Sequence, residues 1–394
     1  MMELAQLESL VAQYETAQPD LMRKIEPQLR HERKILIETF MNASDTDAEQ
    51  LYKAQAGKAF HLISGAGLHN MPRTADEEQL LGQVFQKWQM LKSPSAGILL
   101  AIMLMCPPYQ LPVPALFSQL LPWLRTAYAR YLLTRPAVFH QPGEADRYAD
   151  FLTVVSNLFR NSLLSAEAFP EASEIADMFI KESDFTQIYF NEKNLSRVFR
   201  LRAEIAESLA LAQKLPLSYM FPMSRPEQKL KIGIIASALD AQPETLLLLS
   251  YLERLPKEYC TVTIYTLKQT GHHSEEHCKS RADRLICLSD SNDDIRKVQQ
   301  IREDVLDVML IGSNVTATFD SCTRLAMFRL AKIQVVVENS PLTSGLTHSD
   351  YYLSSEYADP DPAAQAHYTE KLYRVPGTMG YYAYHADLTG KHRA

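Results

Sequence analysis

The chain has 394 residues, 46% of them hydrophobic and 22% charged, with a formal net charge of −7. That length predicts two or three domains and a sizeable core. The acidic balance, with no Lys/Arg run of useful length, argues against a nucleic-acid binder that tracks phosphates on a basic face.

The first residues, MMELAQLESLVAQYE, carry acids early and have no apolar core of the secretory kind, so they do not read as a signal peptide. From there to about residue 222 the pattern is helical. Thr46-x-x-Glu49 and Thr74-x-x-Glu77 match the capping box that opens a helix. AGILLAIMLMC (96–106) is the most apolar run, but 11 residues are too few to span a bilayer, and Pro107-Pro108 closes it. A buried core helix is predicted, with no membrane span. PPYQLPVP (107–114) reads as a rigid connector. Further on, Leu195, Val198, Phe199, Arg202, Ile205 and Leu209 form one helical stripe in which the arginine is the single polar member. No tetratricopeptide-type repeat is apparent. Residues 1–222 are therefore expected to form an all-α domain, with a hinge in LPLSYMFPMSRPEQ (215–228).

After Pro226 the period changes. KLKIGIIAS (229–237), CTVTIYTLK (260–268), RLICLS (284–289), VLDVMLIGS (305–313), KIQVVVENS (332–340) and YYLSSE (351–356) read as strands, with a last short strand near Gly377. Helix-like segments separate most of them. Strands apolar on both faces belong in a parallel sheet covered by helices. The alternation predicts an α/β Rossmann-like, doubly wound domain over residues 229–394.

Such sheets bind ligands at the carboxyl ends of their strands. The loops there hold Ser237, Asp240 and Gln242 after the first strand, Ser313, Asn314 and Thr316 after the fourth, and Glu338, Asn339, Ser340, Thr343, Ser344 and Gly345 after the fifth. These small polar groups suit a carbohydrate or phosphate, and equally suit caps and turns. The first loop lacks GxGxxG and no P-loop is present, so no nicotinamide, flavin or other cofactor is expected. HHSEEH (272–277) has His273 and His277 four apart, but its acids fall at the wrong offsets for a zinc helix, so it reads as a solvated helix start and no metal is expected. His367 and Cys322 read as structural. The five cysteines, odd in number and without CxxC spacing, read as reduced thiols of a cytoplasmic protein.

Four segments from residue 305 onward resemble the family 41 glycosyltransferases, which include the O-GlcNAc transferases, the SPINDLY-like proteins and the bacterial N-glycosyltransferases that modify adhesins. Leu306-Asp307-Val308 leads to a polar loop with Thr316. Leu330-Ala331-x-Ile333-Gln334-Val335 is similar to the family's strand entry "A-P-I-Q-V". Pro341-x-Thr343-Ser344-Gly345 followed by Asp350-Tyr351 is similar to "P-G-T-T-G…D-Y", and Tyr368-Thr369-Glu370-Lys371-Leu372-x-Arg374-x-Pro376 to "Y-(S/T)-E-K-L-x-R-L-P". The resemblance implies the first, acceptor-side lobe of a GT-B arrangement, with a donor lobe expected beyond it. The chain is then either part of a longer protein or a half-enzyme.

By the same resemblance, Gln242 stands where the family has a functional histidine, and Asp240, Asn314, Thr316, Asn339, Thr343 and Ser344 are the substrate-binding candidates. A glutamine can hydrogen-bond but cannot act as an acid or base near neutral pH. Two readings stay open. One is the N-terminal portion of a cytoplasmic protein glycosyltransferase, moving a hexose or N-acetylhexosamine from a nucleotide sugar to an acceptor protein or peptide, inactive as an isolated chain. The other is a non-catalytic binding or assembly module derived from such a lobe. The nucleotide sugar is expected to bind only with a second lobe.

Overall fold

The computed structural model describes residues 2–90, 95–111, 114–165, 169–222, 229–288 and 293–378. The chain divides into two compact units, Met1–Met178 and Phe179–Ala394.

The first unit is helical: α1 (Leu4–Thr16), α2 (Pro19–Met41), α3 (Asp45–Lys53), α4 (Gln55–Gly65), α5 (Ala75–Met90), α6 (Ala96–Met105), α7 (Pro122–Leu133), α8 (Glu144–Leu164) and α9 (Ala172–Glu182), the last spanning the division. α6 is the expected core helix, with all ten residues buried. No helix among the described residues is long and apolar enough to cross a membrane. One of the two expected capping boxes forms. Thr74 N–H donates to Glu77 Oε2 (2.9 Å) and Glu77 N–H to Thr74 Oγ1 (3.3 Å). The other is displaced by two residues. Ser44 caps α3, accepting from Asp47 N–H at 3.2 Å, and Thr46 lies inside the helix. A serine or threonine two residues apart can each supply the capping oxygen, and the sequence pattern alone does not choose between them.

The second unit opens with α10 (Ser196–Ala212) and continues as strands and helices in alternation: β1 (Leu230–Ala236), α11 (Pro243–Leu252), β2 (Cys260–Thr266), α12 (His273–Arg281), β3 (Arg284–Cys287), α13 (Asp294–Glu303), β4 (Val308–Ile311), α14 (Ser321–Ala326), β5 (Ile333–Val336), β6 (Tyr351–Ser355) and β7 (Lys371–Val375). The strands form one sheet in the order β3-β2-β1-β4-β5-β6-β7, every pairing parallel. This is a Rossmann-like, doubly wound sheet. Central β1 and β2 are buried along most of their length, as their continuous apolar runs require. The order reverses between β1 and β4, so their carboxyl ends frame the crevice where such sheets take ligands.

Residues 179–222, read above as the end of the helical domain, pack with the α/β unit. Arg202 is the most buried of the ties between them. Its side chain is 1% exposed, and its guanidinium donates to the carbonyls of Val315 (2.9 Å), Thr316 (3.0 Å) and Ala317 (3.3 Å) in the loop after β4. The rings of Phe185, Phe199 and Phe319 surround it at 4.8–5.6 Å. Burial lowers its pKa to about 10. The first part of the expected hinge is also fastened. Arg302 of α13 donates to the carbonyls of Pro216 (2.9 Å) and Leu217 (3.2 Å). Residues 223–228 of that hinge lie outside the described residues.

Candidate functional site

The switch between β1 and β4 is built by short polar links. Ser237 N–H, just past β1, donates to Ser313 Oγ just past β4 (2.8 Å). Asn339, after β5, donates its amide to the carbonyls of Gly312 (2.5 Å) and Glu244 (3.2 Å). Asp320 caps α14, accepting from Thr323 N–H at 2.9 Å, and its other oxygen lies 3.5 Å from the Ser237 hydroxyl.

Glu244 stands at the centre of these groups. Pro243 begins α11 and fixes the first turn, which places Glu244 one residue into the helix. Its carboxylate is half-buried near the Ser313 hydroxyl and the Asn314 N–H. Burial, reinforced by the charges of Asp320 and Asp240, raises its pKa. The neighbouring Ser313 and Asn314 donors act in the opposite direction, so desolvation is the dominant effect. One Asp240 oxygen is buried without a partner among the described residues; the other accepts from Gln242 (2.9 Å). The crevice thus presents carboxylates and hydroxyls, which suit a ligand that donates hydrogen bonds.

Of the residues expected at the site, Asp240, Gln242, Asn314 and Asn339 lie around this crevice. Gln242 is exposed, and its amide is turned onto Asp240. The Asn314 backbone N–H faces this side, while its side chain turns to Tyr189, donating to the phenol at 3.0 Å. Thr316 does not join them. It is fully buried with its hydroxyl 2.9 Å from that of Tyr189. Thr343 and Ser344 do not join them either. Both are buried around Glu370, just before β7. Thr343 Oγ1 donates to Glu370 Oε2 (2.5 Å), Ser344 N–H donates to Glu370 Oε1 (2.8 Å), and the Ser344 hydroxyl donates to the same oxygen. The loop after β5 runs back toward the amino ends of β6 and β7, so its later residues leave the carboxyl rim.

Glu244 and Asp320 escaped the sequence reading. The available signal was an acid in the first helical turn after the first strand, at the position where the sheet order reverses.

The histidine cluster has ordinary roles. His272 caps α12, accepting from Ser274 N–H at 3.2 Å, and His277 lies 3.4 Å from Glu253. No group of three or more potential metal ligands occurs among the described residues.

The motif residues hold the sheet together. Asp307 accepts from Lys231 N–H (2.9 Å) and Lys332 Nζ (2.9 Å), tying the starts of β1, β4 and β5. Gln334 is buried and donates to the Ala326 carbonyl (3.1 Å) while accepting from Leu330 N–H. Asp350 pairs with Arg329 and accepts from Gln334 N–H (2.7 Å). Gly345 has φ +76°, and a Cβ there would lie 2.4 Å from the Phe199 backbone of α10.

The family model Glycosyl transferase family 41 matches residues 199–390. The match covers just under half of the chain and is to the family that the motif series resembles. The match begins within α10, in agreement with the packing of that helix on the α/β unit. A solved structure of an O-GlcNAc transferase variant from Thermobaculum terrenum is similar at 16% identity, over 88% of this chain and 59% of that one, with a TM-score of 0.40. The chain therefore spans less than two thirds of that structure. A search of curated proteins found no match.

Proposed function

We propose that the α/β unit is the acceptor-side lobe of a GT-B protein glycosyltransferase of family 41. In the whole protein, a hexose or N-acetylhexosamine would pass from a nucleotide sugar to an Asn, Ser or Thr side chain of an acceptor protein. The observation that carries this reading is the crevice around Glu244 at the sheet's switch point, in a segment that matches the family. An acceptor amide or hydroxyl donates hydrogen bonds, which is what the carboxylates of Glu244, Asp240 and Asp320 can receive. A diphosphate would meet these negative charges and be repelled. The chain by itself is therefore expected to bind nucleotide sugars weakly and to transfer little.

As the acceptor attacks the sugar it must lose a proton. Gln242 cannot take it; Glu244 can, and its raised pKa makes it the stronger base. The five cysteines form no disulfide, which supports a reducing, cytoplasmic setting.

The test is transfer of radiolabelled sugar to an acceptor peptide by the whole protein. Glu244→Gln is expected to lower kcat by roughly a hundredfold or more, within the range of a lost general base. Gln242→Ala is expected to change it little. A Glu244→Gln protein with parental kcat would overturn the assignment. The presence of Gln242 at the family's histidine position favours a second reading, a non-catalytic binding module. That reading expects peptide binding that survives Glu244→Gln, with no transfer from any nucleotide sugar.

A further inference from the structure

Asn339 reaches across the end of a strand to the helix that carries Glu244. It follows β5, and β4 lies between β5 and β1 in the sheet. Its side-chain amide donates to the Gly312 carbonyl just past β4 (2.5 Å) and to the Glu244 carbonyl in the first turn of α11 (3.2 Å). These acceptors are 27 and 95 residues away in sequence. A primary amide has two N–H groups, and here each meets a main-chain carbonyl.

The first turn of α11 has no cap of its own to fix it. Pro243 opens the helix without an N–H, and Gln242 before it makes no side-chain hydrogen bond to the helix. The residue that Asn339 holds by its carbonyl is the same one whose side chain lies in the crevice.

The titratable groups facing the Glu244 carboxylate are Asp240, from the loop after β1, and Asp320 and Cys322, at the start of α14. The two acids repel it, and burial pushes the Cys322 thiol far up, so it stays neutral. None of the three attracts Glu244, and the tie through Asn339 opposes the repulsion.

We propose that Asn339 is a positioning residue for the acceptor site: it fastens the first turn of α11 to the end of β4 and so keeps the Glu244 carboxylate in the crevice. Its part in transfer rests on the reading of Glu244 as the base.

The test follows the Glu244 titration by carbon-13 NMR of the glutamate-labelled chain, with the signal assigned by its loss in Glu244→Gln. Asn339→Ala removes both hydrogen bonds. Asn339→Ser stays polar but is too short to span the two carbonyls. In both, the freed turn should expose the carboxylate, and its titration midpoint should fall by about half a pH unit or more. In the transfer assay with the whole protein, kcat should fall roughly tenfold or more at unchanged KM for the acceptor peptide. The acid limb of the kcat–pH profile should move to lower pH by the same half unit or so. A parental or raised midpoint in the folded variants would overturn the proposal. So would a change confined to KM, or the failure of both variants to fold, which would make Asn339 part of the framework of the sheet. The NMR measurement requires no activity. A parental kcat in Glu244→Gln therefore removes the base assignment alone, while a shifted midpoint still establishes the positioning.

Discussion

Replacing Arg202 by methionine tests the claim that one buried cation joins α10 to the sheet. The substitution removes three hydrogen bonds from a charged donor to backbone carbonyls. Each such bond contributes about 1.5–3 kcal/mol, so the three give roughly 5–9 kcal/mol. Burial opposes this. The pKa falls from 12.5 to about 10, which corresponds to about 3 kcal/mol spent on keeping the charge inside. Methionine also retains part of the contact with Phe185, Phe199 and Phe319. The expected net loss is about 3–4 kcal/mol, in line with removal of one member of a buried polar network. The assay is native-state hydrogen exchange of peptides from α10 and from residues 308–320, in the parent and in Arg202→Met. Exchange free energies there should fall by that amount. A fall of less than about 1 kcal/mol would mean that the arginine's hydrogen bonds barely exceed its desolvation cost, and that apolar packing and the Glu207–Thr347 hydrogen bonds hold α10.

Gly345→Ala should destabilise the α/β unit by about 3 kcal/mol or more, because it combines a left-handed backbone with a backbone clash against Phe199; urea unfolding followed by circular dichroism measures this, and a change within about 0.5 kcal/mol would refute it. Glu244 has a raised folded-state pKa, so the stability tied to its protonated form is present below the ordinary value of 4.5 and lost as pH rises through the folded value. Glu244→Gln should therefore match the parent near pH 4 and exceed it in stability at pH 7, as read by paired urea titrations. His69 is pushed down to about 4, chiefly by burial and then by Arg33. Its contribution is full above the ordinary 6.5 and is lost as pH falls from there toward 4, a change of about 3 kcal/mol. Tryptophan fluorescence of the helical unit should record that loss in the parent, and His69→Gln should flatten it.

The strands, the parallel sheet and the buried core helix were legible because each is written in local periodicity: continuous apolar runs for strands covered on both faces, and ten apolar residues closed by prolines for α6. The motif series was legible too, and the family it pointed to is the one that matches. The role of the motif residues was not. Asp307, Gln334, Asp350 and Glu370 are polar groups that tie together segments far apart in sequence, and only folding brings their partners into reach. The same holds for Arg202, which stood out as the one polar residue in an apolar stripe while its three carbonyl acceptors lay more than a hundred residues away. Thr343 and Ser344 follow a strand in the sequence, as Asn314 does, yet their loop turns back and buries them on Glu370. Conversely, Glu244 looked like an ordinary first-turn helix acid. The reversal of strand order between β1 and β4 places it in the crevice, because that reversal is a property of the sheet and is encoded in no single segment.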